Sequence, residues 1–268
     1  MRVADYGPSR RADLADLTGR VWGQRPDEAE LEWFYDRNPV RPASVLLAED
    51  EDRVVGSVAI SFQRMSVGGR EELVGTAVRL ATDPACRGRG IFSELQRANE
   101  ERVRESGVRL LLVVPNAAST PILVERLGWR KLAPLRVWAR LGVLPVVDLG
   151  PRAPRAADRV LRDDAWNRWR FATAPRPYTV IEGDGYAVAA HRGRVGNVVA
   201  VEGAGLGGAV RAARGLVVIA CPPPWERRRY LGAGFVPTPK AFTVLGKSLD
   251  GSPLPDRPHL ELGDLDFF

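Results

Sequence analysis

The feature that most constrains the fold is the hinge Pro84–Leu95, PACRGRGIFSEL, between a strand-like run, LVGTAVRLAT, and a helix-like run, IFSELQRANEERVRES. The first N–H groups of a helix have no partner within it and carry partial positive charge. Glycines let the chain approach an anion closely, and Arg87 and Arg89 can add charge-assisted contacts. The residues alone thus predict a pyrophosphate cradle. The alternative is a tight turn with solvated arginines.

The composition is typical of a globular protein. A chain of 268 residues can bury a real core, as one large domain or as two smaller ones. No apolar run approaches the ~20 residues that a membrane-spanning helix needs. The opening segment, MRVADYGPSRRADLADL, lacks the apolar core of a secretory signal. We therefore expect a cytoplasmic protein with no membrane partner.

The cysteine and histidine content argues against two kinds of site. Cys86 and Cys221 are the two cysteines and lie far apart, so no disulfide framework is expected. The two histidines, His191 and His259, stand in unrelated contexts. This argues against a structural zinc site and against histidine-centred catalysis, and we expect no metal.

The net charge of +6 suggests nucleic-acid binding, but the distribution of the charges does not support it. Only three of the 39 basic residues are lysines, and the arginines are scattered among nearly as many acids. There is no long basic block and no interleaving of aromatic residues with arginines. A modest positive field is more consistent with an anionic small ligand.

Apolar spacing and turn residues predict an alternation of helices and strands. The acidic turn Glu49–Asp52 is interpreted as a solvated hairpin tip, and the segment 149–158 has linker character. In the first half we predict helices at 10–22, 27–37 and 91–105, strands at 45–65 (two strands), 72–82, 108–114 and 132–143, and a short helix opened by Thr120-Pro121.

The second half repeats the first in outline. The segment Trp33–Pro39 aligns with Trp169–Pro175 at the same tryptophan-to-proline spacing, and strand pairs follow both. Near the two ends, LGW at 127–129 corresponds to AGF at 233–235. These matches predict a duplicated unit with a shorter second copy, divided as 1–148, a linker at 149–158, and 159–268.

The order of elements over residues 1–143 resembles the GNAT superfamily of acetyl-CoA-dependent acyltransferases. Its loop pattern is Arg/Gln-x-x-Gly-x-Gly/Ala, in which Arg87 and Gly90 fill the first and fourth positions. Phe92 occupies the sixth, where a small residue is usual. The resemblance implies an α/β (α+β) fold, with a mixed, mostly antiparallel sheet flanked by helices. A second, smaller GNAT-like unit would follow it.

The same resemblance implies where acetyl-CoA binds. Backbone groups of Leu80 and Thr82 would hold the pantetheine arm, and the Leu80 N–H would stabilise the oxyanion of the tetrahedral intermediate. The amides of residues 88–92 would hold the pyrophosphate. The full implied cofactor set is Leu80, Thr82, Arg87, Gly88, Arg89, Gly90, Ile91, Phe92, Ser93, Asn116 and Ser119.

The catalytic acid and base cannot be transferred from the family. The position where many relatives have a tyrosine is Val124, and a common base position on the fourth strand is Thr76. A neutral amine must still be generated and the departing thiolate protonated. The candidates near an acceptor are Tyr35, Asp36, Glu71, Glu72, Asp83, Asn116, Asp264 and Asp266. Each of these side chains also has an ordinary structural or solvated interpretation.

The resemblance implies an N-acetyltransferase acting on a small-molecule amine, such as an amino sugar or an antibiotic-like amine. A non-catalytic acyl-CoA-binding regulatory or scaffold module is the alternative, and nucleic-acid binding ranks third. A GxGxxG match at 203–208 follows a strand-like run, but its following helix is short, and the region about 20 residues on, ERRRY, does not place an acidic residue at a strand end. We interpret it as the second unit's degenerate counterpart of the hinge, without the arginines.

Overall fold

A computed structural model describes residues 1–147, 150, 158–175, 178–182, 185–203 and 205–264. Its first half contains β1 (Arg2–Asp5), α1 (Arg11–Trp22), α2 (Glu28–Leu31), β2 (Ser44–Asp50), β3 (Arg53–Val67), β4 (Arg70–Thr82), α3 (Ile91–Glu105), β5 (Leu110–Val113), α4 (Ser119–Pro121), β6 (Arg130–Lys131) and β7 (Leu135–Leu141). A π-helical turn follows α2 at Glu32–Asp36 and another follows α4 at Ile122–Arg126.

The second half continues with β8 (Arg159–Val160), α5 (Asp164–Asn167), β9 (Tyr178–Ile181), β10 (Gly185–Arg192), β11 (Val195–Gly203), α6 (Leu206–Ala212), β12 (Val217–Ala220), α7 (Arg227–Gly232), β13 (Val236–Phe242) and β14 (Leu245–Ser248). A π-helical turn at Arg168–Ala172 follows α5. Among the described helices, none combines the length and apolarity needed to cross a bilayer.

The chain forms two compact units that are not continuous in sequence. The first comprises residues 1–65, 71–131 and 244–254, and the second comprises 66–70, 132–243 and 255–268. The predicted boundaries, 1–148 and 159–268, divide the chain into two copies of a sequence repeat rather than into compact units. This division into copies stays a prediction. Most of the predicted linker 149–158 lies outside the described residues.

In the first unit, the strands form a sheet of order β1-β2-β3-β4-β5-β14-β6. Strands β4 and β5 run parallel, and their pairing ends at Thr76 and Leu112. Because β4 continues to Thr82 while β5 stops at Val113, the last residues of β4 have no partner in β5. Parallel strands that separate in this way leave backbone groups available to a ligand.

Helix α3 lies close against this sheet because a glycine faces it. A Cβ on Gly56 in β3 would stand 2.7 Å from Cγ2 of Ile91, the first residue of α3. Ile91, Leu95 and Val103 are buried on one face of the helix, and Ile91 and Leu95 pack with Val58 in the core. The start of α3 is therefore fixed next to the end of β4.

Strand β14 is an interior strand of the first unit, although it comes from the end of the chain. It pairs antiparallel with both β5 and β6. Lys247 of β14 donates to Oε2 of the buried Glu100 at 2.5 Å and to the carbonyl of Leu127 at 2.7 Å. Glu100 Oε1 accepts from the indole N–H of Trp129 at 2.9 Å. The charged pair thus joins β14 to α3 and to the segment after α4.

Replacing Lys247 by methionine should destabilise the protein. The change leaves the Glu100 carboxylate buried without its counter-charge, at a cost of about 3 kcal/mol in the free energy of unfolding. Urea denaturation measures it. The double variant Lys247→Met/Glu100→Gln should recover at least half of the loss, and Lys131→Met, at an exposed lysine, should be neutral. A loss below about 1 kcal/mol for Lys247→Met would show that the pair contributes little.

The second sheet has the order β13-β7-β12-β11-β10-β9. As in the first sheet, one interior strand lies between the parallel pair, here β11 and β12, and the edge strand. Its interior strand β7 comes from the first half of the chain. Arg140 of β7 pairs with Val218 and donates to the Ala233 carbonyl at 2.6 Å. Lys247 pairs with Leu111 and bonds the Leu127 carbonyl in the same way. In both sheets, therefore, this interior strand carries a cationic side chain that donates to a backbone carbonyl. That carbonyl lies two residues before the aromatic residue of the segment LGW or AGF.

The segments around the two tryptophans of the predicted repeat also match in structure. Asp27 caps α2 by accepting from Glu30 N–H, and Asp163 caps α5 by accepting from Trp166 N–H. Each short helix continues into a π-helical turn that contains a buried tryptophan, Trp33 or Trp169. The interval from capping aspartate to tryptophan is the same in both segments, so the two can be aligned without a gap.

One expectation about local structure is wrong at one residue. Glu49 in the acidic turn is buried rather than solvated, because Arg2 and Arg10 both donate to its carboxylate, whereas Glu51 and Asp52 at the tip are exposed. Both arginine contacts hold the pKa of Glu49 below its usual value, against the effect of burial. Strand β14 was not among the predicted elements, and nothing in the segment LGKS indicates which sheet it joins.

Candidate functional site

The base of the predicted cradle is held by Asp83, at the end of β4. Asp83 is buried, accepts from Arg20 at 2.7 Å and Arg53 at 2.9 Å, and caps the next turn through Ala85 N–H at 3.1 Å. Burial opposes ionisation of Asp83, but these donors outweigh it and lower its pKa. A carboxylate held in this way fixes the hinge in place.

The two hinge glycines adopt a backbone conformation that glycine allows and other residues disfavour. Gly88 and Gly90 have φ angles of +81° and +80°, in the left-handed region that side chains disfavour. A Cβ at either position would meet no protein atom within 4 Å, so both glycines face open space. Gly90 is the residue before α3, and no side chain caps the helix. The first N–H groups of α3 therefore lack a helical or capping partner.

These amides open onto a cleft of about 500 Å³ within the first unit. Every residue of the predicted cofactor set lines the cleft except Arg89. The cleft thus joins the end of β4 (Leu80, Thr82), the start of α3 (Ile91 to Ser93) and the turn after β5 (Asn116, Ser119). The structure brings together groups from three separate elements of the chain.

Only one of the two hinge arginines faces the cleft. Arg87 lines it, and its guanidinium has no ion pair or hydrogen bond with the described residues. Arg89 instead donates to Asp50 at 2.8 Å and lies 3.7 Å from the Cys86 sulfur. The hydrogen bond from Arg89 lowers the pKa of the Asp50 carboxyl. Arg87 is therefore the hinge cation available to an anionic ligand.

Asn116 organises the opposite wall. Its side-chain oxygen accepts from the N–H groups of Ala118 and Ser119 at 3.0 and 2.9 Å, and from the Ser119 hydroxyl at 3.1 Å. These bonds occupy the carbonyl end of the side chain. The Nδ2 group has no hydrogen bond to the described residues and is free to donate to a ligand.

Sequence reasoning missed six residues of the cleft wall. Trp22, which is 47% exposed, comes from the last turn of α1 and adds an apolar surface. Ile122 follows the predicted Ser119 by three residues, so helical spacing in α4 could have located it. The six residues are Val21, Trp22, Cys86, Ala118, Ile122 and Arg126.

The predicted catalytic candidates, apart from Asn116, do not line the cleft. Tyr35 is buried against Tyr6 and Phe34, and Asp36 accepts from Arg11 at 2.8 Å. Burial raises the pKa of the neighbouring Tyr6 hydroxyl to about 12. The catalytic roles of Tyr35 and Asp36 stay predictions that no contact supports.

The acidic candidates are engaged elsewhere. Glu71 lies 3.6 Å from Arg64 and Glu72 lies 3.7 Å from Arg109. Asp264 belongs to the second unit, and Asp266 lies outside the described residues. Thr76, at the base position of the family, accepts a hydrogen bond from the buried Gln63 at 3.1 Å.

In the second unit, Glu261 and Asp264 lie at the part of β11 that corresponds to the end of β4. The parallel pairing of β11 with β12 stops at Asn197 and Ile219. Four residues later, Val201 N–H donates to Glu261 at 3.2 Å, and Arg162 bonds both Glu261 and Asp264. Burial raises the pKa of the Glu261 carboxyl to about 7, although Arg162 opposes the change.

The glycine-rich loop of the second unit is also packed rather than open. A Cβ on Gly205 would lie 2.6 Å from the Ala187 Cβ. The hinge glycines of the first unit have free space at the same point of the fold. The second loop therefore lacks both the arginines and the open space of the first.

Comparison with known proteins identifies the family of the domain that contains the cleft. Residues 3–132 match the model of the acetyltransferase (GNAT) domain family. Those residues are a GNAT domain. No curated protein is significantly similar to the chain in sequence.

Solved structures extend the likeness in fold over both units. A GCN5-related N-acetyltransferase from Kribbella flavida has a TM-score of 0.69 at 17% identity, covering 93% of this chain and 71% of its own. Another from Anabaena variabilis has a TM-score of 0.66 at 10% identity, covering 93% and 73%. Eis1 from Mycobacterium abscessus has a TM-score of 0.63 at 14% identity, covering 93% and 74%. The expected GNAT fold, with two mostly antiparallel sheets and helices, is confirmed.

Proposed function

We propose that the protein is an N-acetyltransferase that transfers the acetyl group of acetyl-CoA to the amine of a small molecule. The observation that carries the proposal is the cleft of the GNAT domain. In it, uncapped amides at the start of α3 and the glycines Gly88 and Gly90 face open space, beside the part of β4 that extends beyond its pairing with β5. Helix starts of this kind bind phosphate groups.

The proposed cofactor contacts follow from the cleft geometry. Amides from Gly88 to Phe92, with Arg87, hold the pyrophosphate, while Asn116 Nδ2 donates to the pantetheine arm. Backbone groups of Leu80 and Thr82 pair with the pantetheine amides in place of a neighbouring strand. Arg126 supplies a second cation at the cleft wall. Arginine is well suited to phosphate because its planar fork donates two hydrogen bonds at once.

In the proposed reaction, the neutral amine attacks the thioester carbonyl carbon, and the Leu80 N–H donates to the oxygen as it gains negative charge. Collapse of the tetrahedral intermediate breaks the C–S bond and releases the CoA thiolate. The amine nitrogen loses one proton, and the thiolate takes one up. Positioning of the two reactants supplies much of the rate, because the cleft turns a bimolecular step into an intramolecular one.

A non-catalytic acyl-CoA-binding module is the second candidate, and one observation favours it. The described residues that line the cleft include no carboxylate, histidine, lysine or tyrosine; the ionisable ones are Cys86, Arg87 and Arg126. An enzyme with this cleft would move its protons through water or through the acceptor itself. A binding module needs no proton path.

Turnover separates the two candidates. The full chain is incubated with acetyl-CoA and a panel of amino sugars, polyamines and amine antibiotics, and free CoA thiol is followed with a thiol reagent. An enzyme should release CoA faster with at least one amine than without. If the chain binds acetyl-CoA but no amine raises CoA release above the uncatalysed rate, the binding module is favoured.

Arg87→Ala should weaken acetyl-CoA binding about tenfold, because it removes a charge-assisted contact to phosphate worth about 1.4 kcal/mol. Arg89→Ala is the matched control: its guanidinium pairs with Asp50, so affinity should change less than twofold. Isothermal titration calorimetry measures both dissociation constants. Equal losses in the two variants would contradict the assignment of Arg87 as the phosphate-binding arginine.

We further propose that the chain is a tandem pair of GNAT-like units and that the second binds no cofactor. The gapless alignment of the two tryptophan segments and the matched cations Lys247 and Arg140 support the duplication. The contact of Val201 with Glu261 and the packed Gly205 support a closed second site.

A further inference from the structure

The last residues of β4 contain an unusual backbone conformation. Arg79 has a φ of +48°, and it is one of three described non-glycine residues in the left-handed region. This conformation costs an arginine about 1 kcal/mol or more, so it persists only where the surroundings enforce it. Arg79 immediately precedes Leu80, whose N–H we assign to the thioester oxygen. The reversal at Arg79 therefore sets the direction of that N–H.

A clamp formed by Glu30 and Phe34 holds the Arg79 side chain. Its Nη2 lies 2.8 Å from Glu30 Oε1, and its guanidinium carbon lies 4.3 Å from the centre of the Phe34 ring. Only 9% of the Arg79 side chain is exposed. A partly buried ion pair combined with a cation–π contact is strong enough to offset the backbone strain.

The clamp residues are themselves fixed by the fold. Glu30 is held in α2, where its N–H donates to the capping Asp27 at 2.7 Å. Phe34 is buried in the following π-helical turn and packs edge-on against Tyr35, with ring centres 5.1 Å apart. The clamp therefore links a rigid segment from early in the chain to the end of β4.

The second sheet shows what an amide at this position can do. Counted from the last parallel pair, Leu80 is four residues past Thr76 and Val201 is four residues past Asn197. The Val201 N–H is directed out of the strand ladder and donates to the Glu261 carboxylate at 3.2 Å. An amide at this register can thus bind an oxygen that carries negative charge, as the proposed reaction requires.

The second unit has the amide but not the clamp. The position equivalent to Arg79 is Ala200, which does not have a positive φ. The gapless alignment of the two tryptophan segments puts Trp166 and Arg170 where the first unit has Glu30 and Phe34. The clamp is therefore specific to the unit with the open cleft.

We propose that Arg79, clamped by Glu30 and Phe34, is a positioning residue that orients the Leu80 N–H toward the thioester carbonyl oxygen. This inference rests on the proposed acetyl transfer. Arg79 does not line the cleft, so it acts through the backbone and not on the substrate. A misplacement of about 1 Å in a donor of this kind can reduce a rate about 100-fold.

The test compares Arg79→Met, Arg79→Lys and Glu30→Gln with the wild-type protein. Arg79→Met should lower kcat by about 10- to 100-fold while the Kd for acetyl-CoA changes less than threefold, because the phosphate contacts are untouched. Arg79→Lys keeps the ion pair but loses the contact of the planar guanidinium with the Phe34 ring, and Glu30→Gln keeps that contact but loses the ion pair. The kcat of each of these variants should therefore lie between those of the wild-type protein and Arg79→Met. Arg102→Met, which removes an arginine paired with Asp5 on the outer face of α3, is the control and should behave as wild type.

The carbonyl stretch of bound acetyl-CoA labelled with carbon-13 at the carbonyl reports the contact directly. In the wild-type complex a hydrogen bond from Leu80 lowers the frequency, and in Arg79→Met the frequency should return toward that of free acetyl-CoA. If both proteins lower it equally, the clamp does not position the amide, although the acetyl transfer stands. If the wild-type protein binds acetyl-CoA without lowering it and shows no turnover, the proposed function fails and the inference fails with it.

Discussion

Replacement of Gly90 by valine should abolish the binding of acetyl-CoA. Gly90 has φ +80° and ψ 1°, and a β-branched side chain there costs about 2 kcal/mol in strain or shifts the hinge. The new side chain would also project into the open space where we place the pyrophosphate. The two effects together should weaken binding by more than about 100-fold, since a hinge that relaxes no longer presents the first amides of α3.

Gly128→Val provides a matched control for that variant. Gly128 has φ +72°, its Cβ would likewise meet nothing within 4 Å, and it does not line the cleft. Both variants should therefore lose similar stability in thermal unfolding, but only Gly90→Val should lose acetyl-CoA binding in calorimetry. If a folded Gly90→Val protein bound acetyl-CoA with wild-type affinity, the proposed pyrophosphate site at the hinge would be wrong. The assignment of the cleft to acetyl-CoA would then be wrong as well.

Truncation after residue 148 should prevent the GNAT domain from folding. The fragment keeps all residues of the family match, 3–132, but loses β14 from between β5 and β6. It therefore loses Leu245, which is fully buried in the core, and leaves Glu100 buried without Lys247. Two unpaired strand edges would be exposed in the middle of the sheet. We expect an insoluble fragment, or a soluble one without cooperative unfolding.

A rearranged fragment tests whether the loss of β14 is the reason that the fragment 1–148 does not fold. Leu245 lies directly opposite Lys131 in the antiparallel pair of β14 with β6, so a short glycine-containing turn can join residue 131 to residue 244. The fragment 1–131–turn–244–254 should unfold cooperatively and bind acetyl-CoA, whereas the same design with Leu245→Asp should not. Cooperative unfolding of the simple 1–148 fragment would show that β14 is dispensable.

Local patterns in the sequence were sufficient for much of the first unit. Helix α3 was predicted at 91–105 and has those bounds, because its apolar spacing and the flanking Gly90 and Gly107 are local signals. The hinge, the strand before it and Asn116 were placed correctly for the same reason. Family resemblance supplied the proposed use of these groups as a cofactor site, and all but Arg89 of the predicted cofactor set line one cleft.

Contacts between distant segments could not be predicted in this way. Arg89 turns from the cleft because Asp50, from the end of β2, lies within reach of its guanidinium. The buried Glu49, the apolar wall formed by Trp22 and the clamp on Arg79 are further examples. Each depends on which elements are adjacent in space, and hydrophobic periodicity carries no information about that.

The sequence alone determined helices α1 and α3, strands β2 to β5, the glycine hinge and the presence of uncapped amides behind it, since these depend on interactions within a few residues. Tertiary structure decided which arginine faces the cleft, which late strand completes the first sheet, and which side chains hold Arg79 before Leu80. Those outcomes depend on ion pairs and strand registers between residues that lie far apart in the chain, and such partners are selected only when the whole core packs.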